Sequence, residues 1–291
     1  MVEFEVPEPD YDRYSNRQLA AVPLAVLALA LLVLVGWSLF VSGTPANPGA
    51  PVTPGIEFTG GTEIQVATDD AQSEVRAAFG GPDEVQPVTG SNEFIVVTQA
   101  TDTDTVTADA EEAGYDVVSV QTRSASFGGE AQRTAVLGII VAFVGMSVLI
   151  FALFRSFVPS IAVVVSAFSD IMIPAALMNL FGIPLSLGSV AALLMLIGYS
   201  VDSDILLNNH ILRRRGDFYE STHRAMQTGV TMTVTSISAM VVMFVVSSLF
   251  GIPLLPDLAI VLVFGLVADL MNTYMMNLSL LRWYKYEGVA R

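Results

Sequence analysis

The sequence predicts a membrane α-helical fold, in which six transmembrane helices carry one extracytoplasmic α+β domain of ferredoxin-like (βαββαβ) order between helices 1 and 2. Of 291 residues, 53% are hydrophobic and only 14% are charged, against about 45–50% and about 25% in ordinary soluble domains. Six apolar segments can each cross a hydrocarbon core of about 30 Å, and a long polar segment separates the first two. The composition excludes a soluble enzyme and a nucleic-acid binder, and the absence of cysteine excludes a secreted disulfide scaffold.

The apolar segments set the predicted boundaries. Transmembrane helices are expected at 20–41, 133–154, 158–181, 185–207, 229–250 and 256–281. The other segments are an N-terminus at 1–19, an outer segment at 42–132, a loop at 208–228 and a C-terminus at 282–291. Because the first apolar segment is longer than the roughly 7 to 15 residues of a signal-peptide core, we expect it to remain as an anchor.

Basic residues predict the orientation. With the N-terminus inside the cell, all Lys and Arg residues fall on the cytoplasmic side except Arg76, Arg123 and Arg133. In membrane proteins the cytoplasmic loops carry the excess of basic residues. The sequence therefore predicts a multi-pass protein of the cytoplasmic membrane, with both termini in the cytoplasm and the segment 42–132 outside.

The outer segment is strongly acidic, with fifteen Asp and Glu residues against two Arg residues, a formal charge of −13. Such a surface is a poor partner for nucleic acid or anionic lipid, and it resembles the surfaces of proteins from high-salt organisms. The acids do not follow the spacing of a calcium-binding loop. The segment also has no histidine or cysteine. We therefore expect no metal site, cofactor or catalytic group here.

The outer segment divides into a spacer and a small domain. Residues 42–54 are rich in Pro and Gly and predict the spacer. Alternating apolar residues and turn signals then predict four strands and two helices. The strands are expected at 63–67, 84–88, 93–98 and 116–121, and the helices at 70–79 and 102–113. A domain of this kind is expected to present a sheet face or edge to another chain.

Four aspartates fall within the predicted transmembrane helices: Asp170, Asp202, Asp204 and Asp269. A charged side chain at the centre of a membrane helix costs about 2.5–3.5 kcal/mol on insertion scales. Each aspartate is therefore a candidate functional residue, and we treat the four as candidates for an ion relay.

Asp202 is expected to face a neighbouring helix. Gly198 and Asn209 lie four residues before it and seven after it, so the three share one stripe, on which Gly198 would allow close helix contact. Asp204 is rotated by about 200° from Asp202. Since Asp204 is also near the arginines at 213–215, we expect it either to reach the inner interface or to have only a structural role.

Asp170 and Asp269 each leave two interpretations open. Asp170 comes four residues before Pro174, which fits either a polar pathway or a packed kink. Asp269 begins a polar run with Asn272 and Asn277, which fits either a functional site or hydrogen bonds to a neighbouring helix. The hexapeptide LFGIPL occurs twice, at 180–185 and at 249–254, each time in a short outer turn between two predicted spans, which favours two adjacent hairpins.

Two motifs resemble the SecD/SecF family. GIEFTGGT at 55–62 resembles the family's signature after the first helix, with Glu57 where most relatives have Asp. GYSVDSDILLNNHILRR at 198–214 resembles the family's acidic motif at the inner end of the fourth helix. With the order of anchor, outer domain and five further helices, the resemblance covers nearly the whole chain and indicates an archaeal member.

The first motif favours a structural role over a binding role. Gly55 opens it, and Gly60 with Gly61 would let the chain turn tightly into the first strand. Phe58 would then pack under the outer domain, beside Glu57.

The resemblance implies an accessory subunit of the protein-export machinery. Its implied partners are SecD, the SecYE channel, the translocating polypeptide and the lipid bilayer, and it has no ATP site or other cofactor of its own. The absence of a Walker A pattern agrees with this. In bacterial relatives an acid in the fourth helix is linked to the proton gradient, a role that would fall on Asp202 or Asp204.

Two other functions remain as alternatives. The six-helix unit resembles half of a resistance-nodulation-division transporter, a class that exports small molecules, although those chains carry two large outer domains. An intramembrane aspartyl protease would need two close aspartates, and Asp202 with Asp269 is the candidate pair. The sequence lacks that class's Gly-x-Gly-Asp signature.

Overall fold

The computed structural model describes residues 11–44, 49–82, 84–88, 92–123, 125–213, 218–252 and 254–288. Within these residues, six helical segments are long and apolar enough to cross a membrane. The helices are α1 (Asn16–Gly36, continued by a π-helical turn at Trp37–Val41), α2 (Ile56–Thr59), α3 (Gln72–Ala78), α4 (Thr103–Glu112), α5 (Ala125–Phe154), α6 (Phe157–Phe181), α7 (Leu187–Arg213), α8 (Phe218–Leu249), α9 (Leu255–Met271) and α10 (Leu278–Trp283). A π-helical turn at Asn272–Asn277 joins α9 and α10 into one span.

The membrane helices pack around α9, which contacts α6, α7 and α8. Much of α6, of α7 and of the last span is buried inside the bundle, whereas α5 and α8 are largely exposed. The main apolar core joins residues of α1, α6, α7 and α9. Since α6, α7 and α9 are the inner helices, polar residues on their facing sides are shielded from lipid.

The small domain forms a four-stranded antiparallel sheet in the order β2-β3-β1-β4. Its strands are β1 (Gly61–Ala67), β2 (Glu84–Val88), β3 (Glu93–Thr98) and β4 (Asp116–Arg123). With α3 between β1 and β2, and α4 between β3 and β4, the chain follows the βαββαβ order. The predicted fold class of six helices and one ferredoxin-like domain is therefore confirmed. The turn predicted between β2 and β3 lies at 89–91, outside the described residues.

The Gly-Gly motif forms the tight entry into β1. Gly60 and Gly61 have φ values of +82° and +148°, which favour glycine. A Cβ atom on Gly61 would lie 2.5 Å from the carbonyl oxygen of Thr98 on the neighbouring strand. Phe58, in the short helix α2, is buried, and α2 packs against both α5 and β1. The motif thus sets the path of the chain between the membrane helices and the sheet.

Residues 51–55, at the end of the predicted spacer, are bound to the turn between α6 and α7. Leu185 N–H donates to the Thr53 carbonyl at 2.7 Å, and Gly55 N–H donates to the Leu185 carbonyl at 2.8 Å. The Asn179 side chain donates to the Pro51 carbonyl at 2.7 Å and accepts from Thr53 N–H at 3.3 Å. These bonds attach the small domain to the top of the bundle.

The two hairpins that carry the LFGIPL repeat are adjacent at the start of α7 and of α9, as the repeat suggested. A Cβ atom on Gly188 would collide with the carbonyl oxygen of Leu254. Ser186 Oγ donates to Asp257 Oδ2 at 2.9 Å, which ties the start of α7 to the start of α9.

Candidate intramembrane carboxylate site

The last span carries a run of polar side chains into the bundle interior. Asp269, Asn272, Thr273 and Asn277 recur at spacings of three and four residues, so they share one face. All four are buried. The π-helical turn at Asn272–Asn277 coincides with this polar run, and π-helical turns occur frequently at functional sites.

Asp204 of α7 is fully buried against this face. Its Oδ1 atom accepts hydrogen bonds from Thr273 Oγ1 at 2.9 Å and from Asn277 Nδ2 at 2.7 Å. Both donors belong to the last span, so Asp204 joins α7 to it. The expectation that Asp204 reaches the inner interface is wrong. It lies nine residues before the end of α7 at Arg213 and points inward, and Arg214 and Arg215 lie outside the described residues.

Asp170 and Asp269 are buried in the same interior. Asp170, on α6, accepts hydrogen bonds from Ser200 Oγ at 2.6 Å and from Asn272 Nδ2 at 2.5 Å. Asp269 accepts from Ser203 Oγ at 2.8 and 3.0 Å. Each carboxylate therefore accepts hydrogen bonds from a neighbouring helix, which is compatible with both interpretations of each residue.

Thr273 connects two of the three carboxylates. Its Oγ1 atom lies 2.9 Å from Asp204 Oδ1 and 3.3 Å from Asp269 Oδ1. Asn272, its chain neighbour, binds Asp170. The three carboxylates therefore form one group around the last span, which we call the carboxylate cluster (Asp170, Asp204 and Asp269).

The hydrogen-bond donors found for the carboxylate cluster are neutral serine, threonine and asparagine side chains. Buried carboxylates are costly unless they are paired, protonated or beside a cation. Among the described residues, three buried amide oxygens of the neighbouring asparagines accept no hydrogen bond: Asn208 Oδ1, Asn272 Oδ1 and Asn277 Oδ1. These oxygens are acceptors of the kind that bind a protonated group, water or a small hard cation.

Asp202 does not face another helix of this chain. Gly198, Asp202 and Asn209 do share one stripe, but all three are exposed. A Cβ atom on Gly198 would find no heavy atom within 4 Å, so this glycine makes no close helix contact within the chain. Helical spacing showed correctly which residues share a face, but it does not show which face turns inward. The buried polar stripe is the one with Ser200, Asp204 and Asn208.

The structure does not assemble the candidate protease pair, because Asp202 is exposed while Asp269 is buried. Three residues that hold the carboxylates were not among the predicted site residues: Ser200, Ser203 and Thr273. A signal for Ser200 was present, since Ser200, Asp204 and Asn208 follow one another at intervals of four residues. Ser203 and Thr273 carry no such signal, because single hydroxyl residues are common in membrane helices.

Comparisons with known proteins agree with both motifs. Residues 102–287 match the family described as "Protein export membrane protein SecD/SecF, C-terminal", and residues 48–72 match the "SecD/SecF GG Motif". The "Protein-export membrane protein SecF" of Haloferax volcanii is 66% identical to this chain, and that of Haloquadratum walsbyi is 60% identical. Each match covers 100% of both chains. Both organisms are halophilic archaea, which confirms the expectation drawn from the acidic surface.

Among solved structures, the chain resembles SecDF from Thermus thermophilus, a translocon-associated membrane protein, with a TM-score of 0.68 and 21% identity. The match covers 96% of this chain and 39% of that one. SecDF in its "Super-membrane-facing form" gives a TM-score of 0.61 at 23% identity, with 95% and 39% coverage. These likenesses confirm the fold, and the full-length relatives confirm the family. The chain is a multi-pass membrane protein that belongs to the SecD/SecF family of protein-export membrane proteins, on the SecF side of that family.

Proposed function

We propose that the chain is an accessory subunit of the Sec protein translocase, which acts with SecD and beside the SecYE channel to promote the export of polypeptides. The observation that carries this proposal is the 66% identity to a SecF over the full length of both chains. The fold shared with SecDF supports it. A small-molecule exporter is less well supported, because the described chain carries one small domain rather than two large ones.

Complementation tests the export function. In a halophilic archaeal strain that lacks its own SecF, this chain should restore secretion of a reporter carrying a signal peptide, and SecD should copurify with it. If the strain still fails to secrete the reporter although the chain is present in the membrane and bound to SecD, the export role is contradicted.

For the orientation, we propose cytoplasmic termini and an outer small domain. The support is the distribution of basic residues, since Arg17, Arg155 and Arg282 lie at the end of the bundle away from the sheet, and Arg76 lies in the small domain. The chain has no cysteine, so Asn92→Cys and Glu220→Cys can each be labelled alone. An impermeant reagent should reach the first from outside intact cells and the second only after lysis.

For the ion relay, we propose that the carboxylate cluster binds and releases the coupling ion. The support is the burial of three carboxylates with neutral donors, beside oxygens that make no hydrogen bond. Asp204 is the principal candidate, because it is fully buried and its Oδ1 atom accepts from two residues of the last span. Asp204→Asn keeps the size of the side chain and its acceptor for Thr273 but removes the charge.

Export into inverted membrane vesicles, with and without an imposed ion gradient, tests this proposal. Asp204→Asn should remove the part of export that the gradient stimulates and leave the rest. The control is Asp104→Asn, in the exposed first turn of α4, which should keep both parts. Gradient stimulation that survives in Asp204→Asn would remove this residue from the relay.

A further inference from the structure

The residues that precede α1 pack against the end of the bundle at which α7 ends and α8 begins. They include a short 3₁₀ turn at Tyr11–Arg13, which we call the N-terminal turn, and its first residue is buried. The Tyr11 hydroxyl lies 3.3 Å from the backbone carbonyl oxygen of Tyr274 and 3.3 Å from Met226 Sδ, so it can donate to either. A residue outside the six spans thus reaches two of them.

Tyr11 belongs to an apolar layer that closes this end of the bundle. The layer is formed by Tyr11, Leu207, Ile211, Phe218 and Leu281 with their buried neighbours. In α7, its members lie between the carboxylate cluster and the end of the helix. Because packed apolar constrictions exclude water and ions, solvent at this end of the bundle must pass the layer to reach the cluster.

Asn208 lies behind this layer as a buried polar residue. It follows Asp204 by four residues and so shares its face of α7. Its side chain is fully buried, and neither of its polar atoms makes a hydrogen bond within the described residues. A buried amide is costly unless it finds a partner, and water is a usual one. Asn208 therefore marks the side from which water can reach Asp204.

Arg282 holds the N-terminal turn in place. Its guanidinium donates to the Tyr11 carbonyl at 3.0 Å and to the Tyr14 carbonyl at 2.9 Å. The other members of the apolar layer lie in long helices, whereas the N-terminal turn has only three residues. So short a turn has little stability of its own, and it can open locally without unfolding a span.

We infer that the N-terminal turn is a lid, which closes the carboxylate cluster from the aqueous side at the end of α7 and admits water and the coupling ion when it swings away. The lid also touches the cluster's own support, since Tyr274, beside the Tyr11 hydroxyl, directly follows Thr273, which binds Asp204. The part of this inference that concerns the ion rests on the proposed ion relay. The lid itself rests on the packing around Tyr11.

Thiol labelling of the purified chain in detergent micelles tests the lid. Asn208→Cys places a single cysteine behind it, because the chain has no other cysteine, and the probe is a small hydrophilic methanethiosulfonate. Labelling should be slow in the otherwise unaltered chain, since position 208 is buried. Arg282→Met keeps a long side chain but removes its donors. It should raise the labelling rate roughly tenfold, because labelling follows the population of the open form.

Two controls separate a lid from a general loosening of the bundle. Arg224→Met removes an arginine near the start of α8 that pairs with Glu220 of its own helix, and it should change the rate at position 208 by less than about twofold. Ser189→Cys reports from a buried position at the opposite end of α7, and Arg282→Met should leave its labelling rate unchanged. An unchanged rate at position 208 in Arg282→Met, or a parallel rise at position 189, would overturn the inference.

This measurement requires neither SecD nor export nor an ion gradient, so it decides on the lid separately from the relay. If gradient stimulation survives in Asp204→Asn, the ion relay fails and the role of the lid in ion access fails with it. The labelling rates at position 208 then still show whether the N-terminal turn controls the access of water.

Discussion

The Thr273 hydroxyl is the group whose removal tests the carboxylate cluster most directly. Thr273→Val keeps nearly the same shape but removes a hydroxyl whose oxygen lies within hydrogen-bond distance of both Asp204 Oδ1 and Asp269 Oδ1, at 2.9 and 3.3 Å. A hydroxyl has one proton and donates to one acceptor at a time. The substitution therefore removes one hydrogen bond to a buried carboxyl group and leaves its acceptor without that donor.

The expected cost lies between two bounds. A hydrogen bond to a charged acceptor contributes about 1.5–3 kcal/mol in soluble proteins, whereas hydrogen bonds between membrane helices average about 0.6 kcal/mol and reach about 1.7 kcal/mol. We therefore expect Thr273→Val to lower the free energy of unfolding by about 1–2 kcal/mol, a factor of about 5–30 in the unfolding equilibrium. A value near the upper end would indicate an ionised acceptor.

Reversible unfolding in mixed detergent micelles, followed by far-ultraviolet circular dichroism, measures this change. The control is Thr235→Val on α8, whose hydroxyl is exposed and donates only to the Thr231 carbonyl of its own helix at 2.6 Å. That substitution should change the free energy of unfolding by less than about 0.5 kcal/mol. Equal effects of the two substitutions would refute the role of Thr273 as a donor to the cluster.

Three further predictions concern the small domain and its attachment. Gly61→Ala should lower the stability of the sheet, since φ near +148° strains an L-residue by about 1–3 kcal/mol and the added Cβ meets the Thr98 carbonyl. Gly80→Ala, with φ of +67° and no neighbouring atom, should cost less, and amide exchange of β1 and β3 compares the two. Raising salt from 0.1 to 1 M should slow amide exchange of β1 and β3 in the unaltered chain, because screening across the strongly acidic surface shortens the Debye length from about 10 to about 3 Å. Unchanged exchange would show that charge repulsion does not destabilise the sheet. Asn179→Leu should release the segment 51–55 and increase its cleavage by protease, since the amide holds Pro51 and Thr53, whereas equal cleavage would show that the Leu185 backbone bonds suffice.

The small domain could be predicted closely because its signals are local. Strand β2 occupies Glu84–Val88 and strand β3 occupies Glu93–Thr98, the ranges that alternation and turn residues indicate. The entry at Gly60 and Gly61 was readable for the same reason, since consecutive glycines mark a backbone that other residues avoid. Each of these features is decided within a few residues.

The carboxylate cluster was only partly predictable because its geometry depends on how separate helices rotate. Asp170, Asp204 and Asp269 are conspicuous as membrane acids, but they come together only when α6, α7 and the last span pack. An amphipathic pattern normally shows which face turns inward. In α7 both faces are largely apolar and carry only isolated polar residues. The face with Gly198 and Asp202 was therefore as good a candidate for the inward face as the one with Ser200 and Asp204.

One turn of α7 connects the two polar surfaces of this protein. Ser200 binds Asp170, Ser203 binds Asp269, and Asp204 accepts from the last span, whereas Asp202 between them points outward. Rotation of an α-helix by one residue is about 100°. A rotation or shift of α7 that moves Asp202 therefore strains the inward hydrogen bonds as well, because all four residues lie within five consecutive residues of one helix. Conversely, a change of charge among the buried carboxylates alters the hydrogen bonds that Ser200, Ser203 and Asp204 make with the neighbouring helices. The four-residue separation between Ser200 and Asp204 thus couples movement of the exposed face of α7 to the carboxylate cluster.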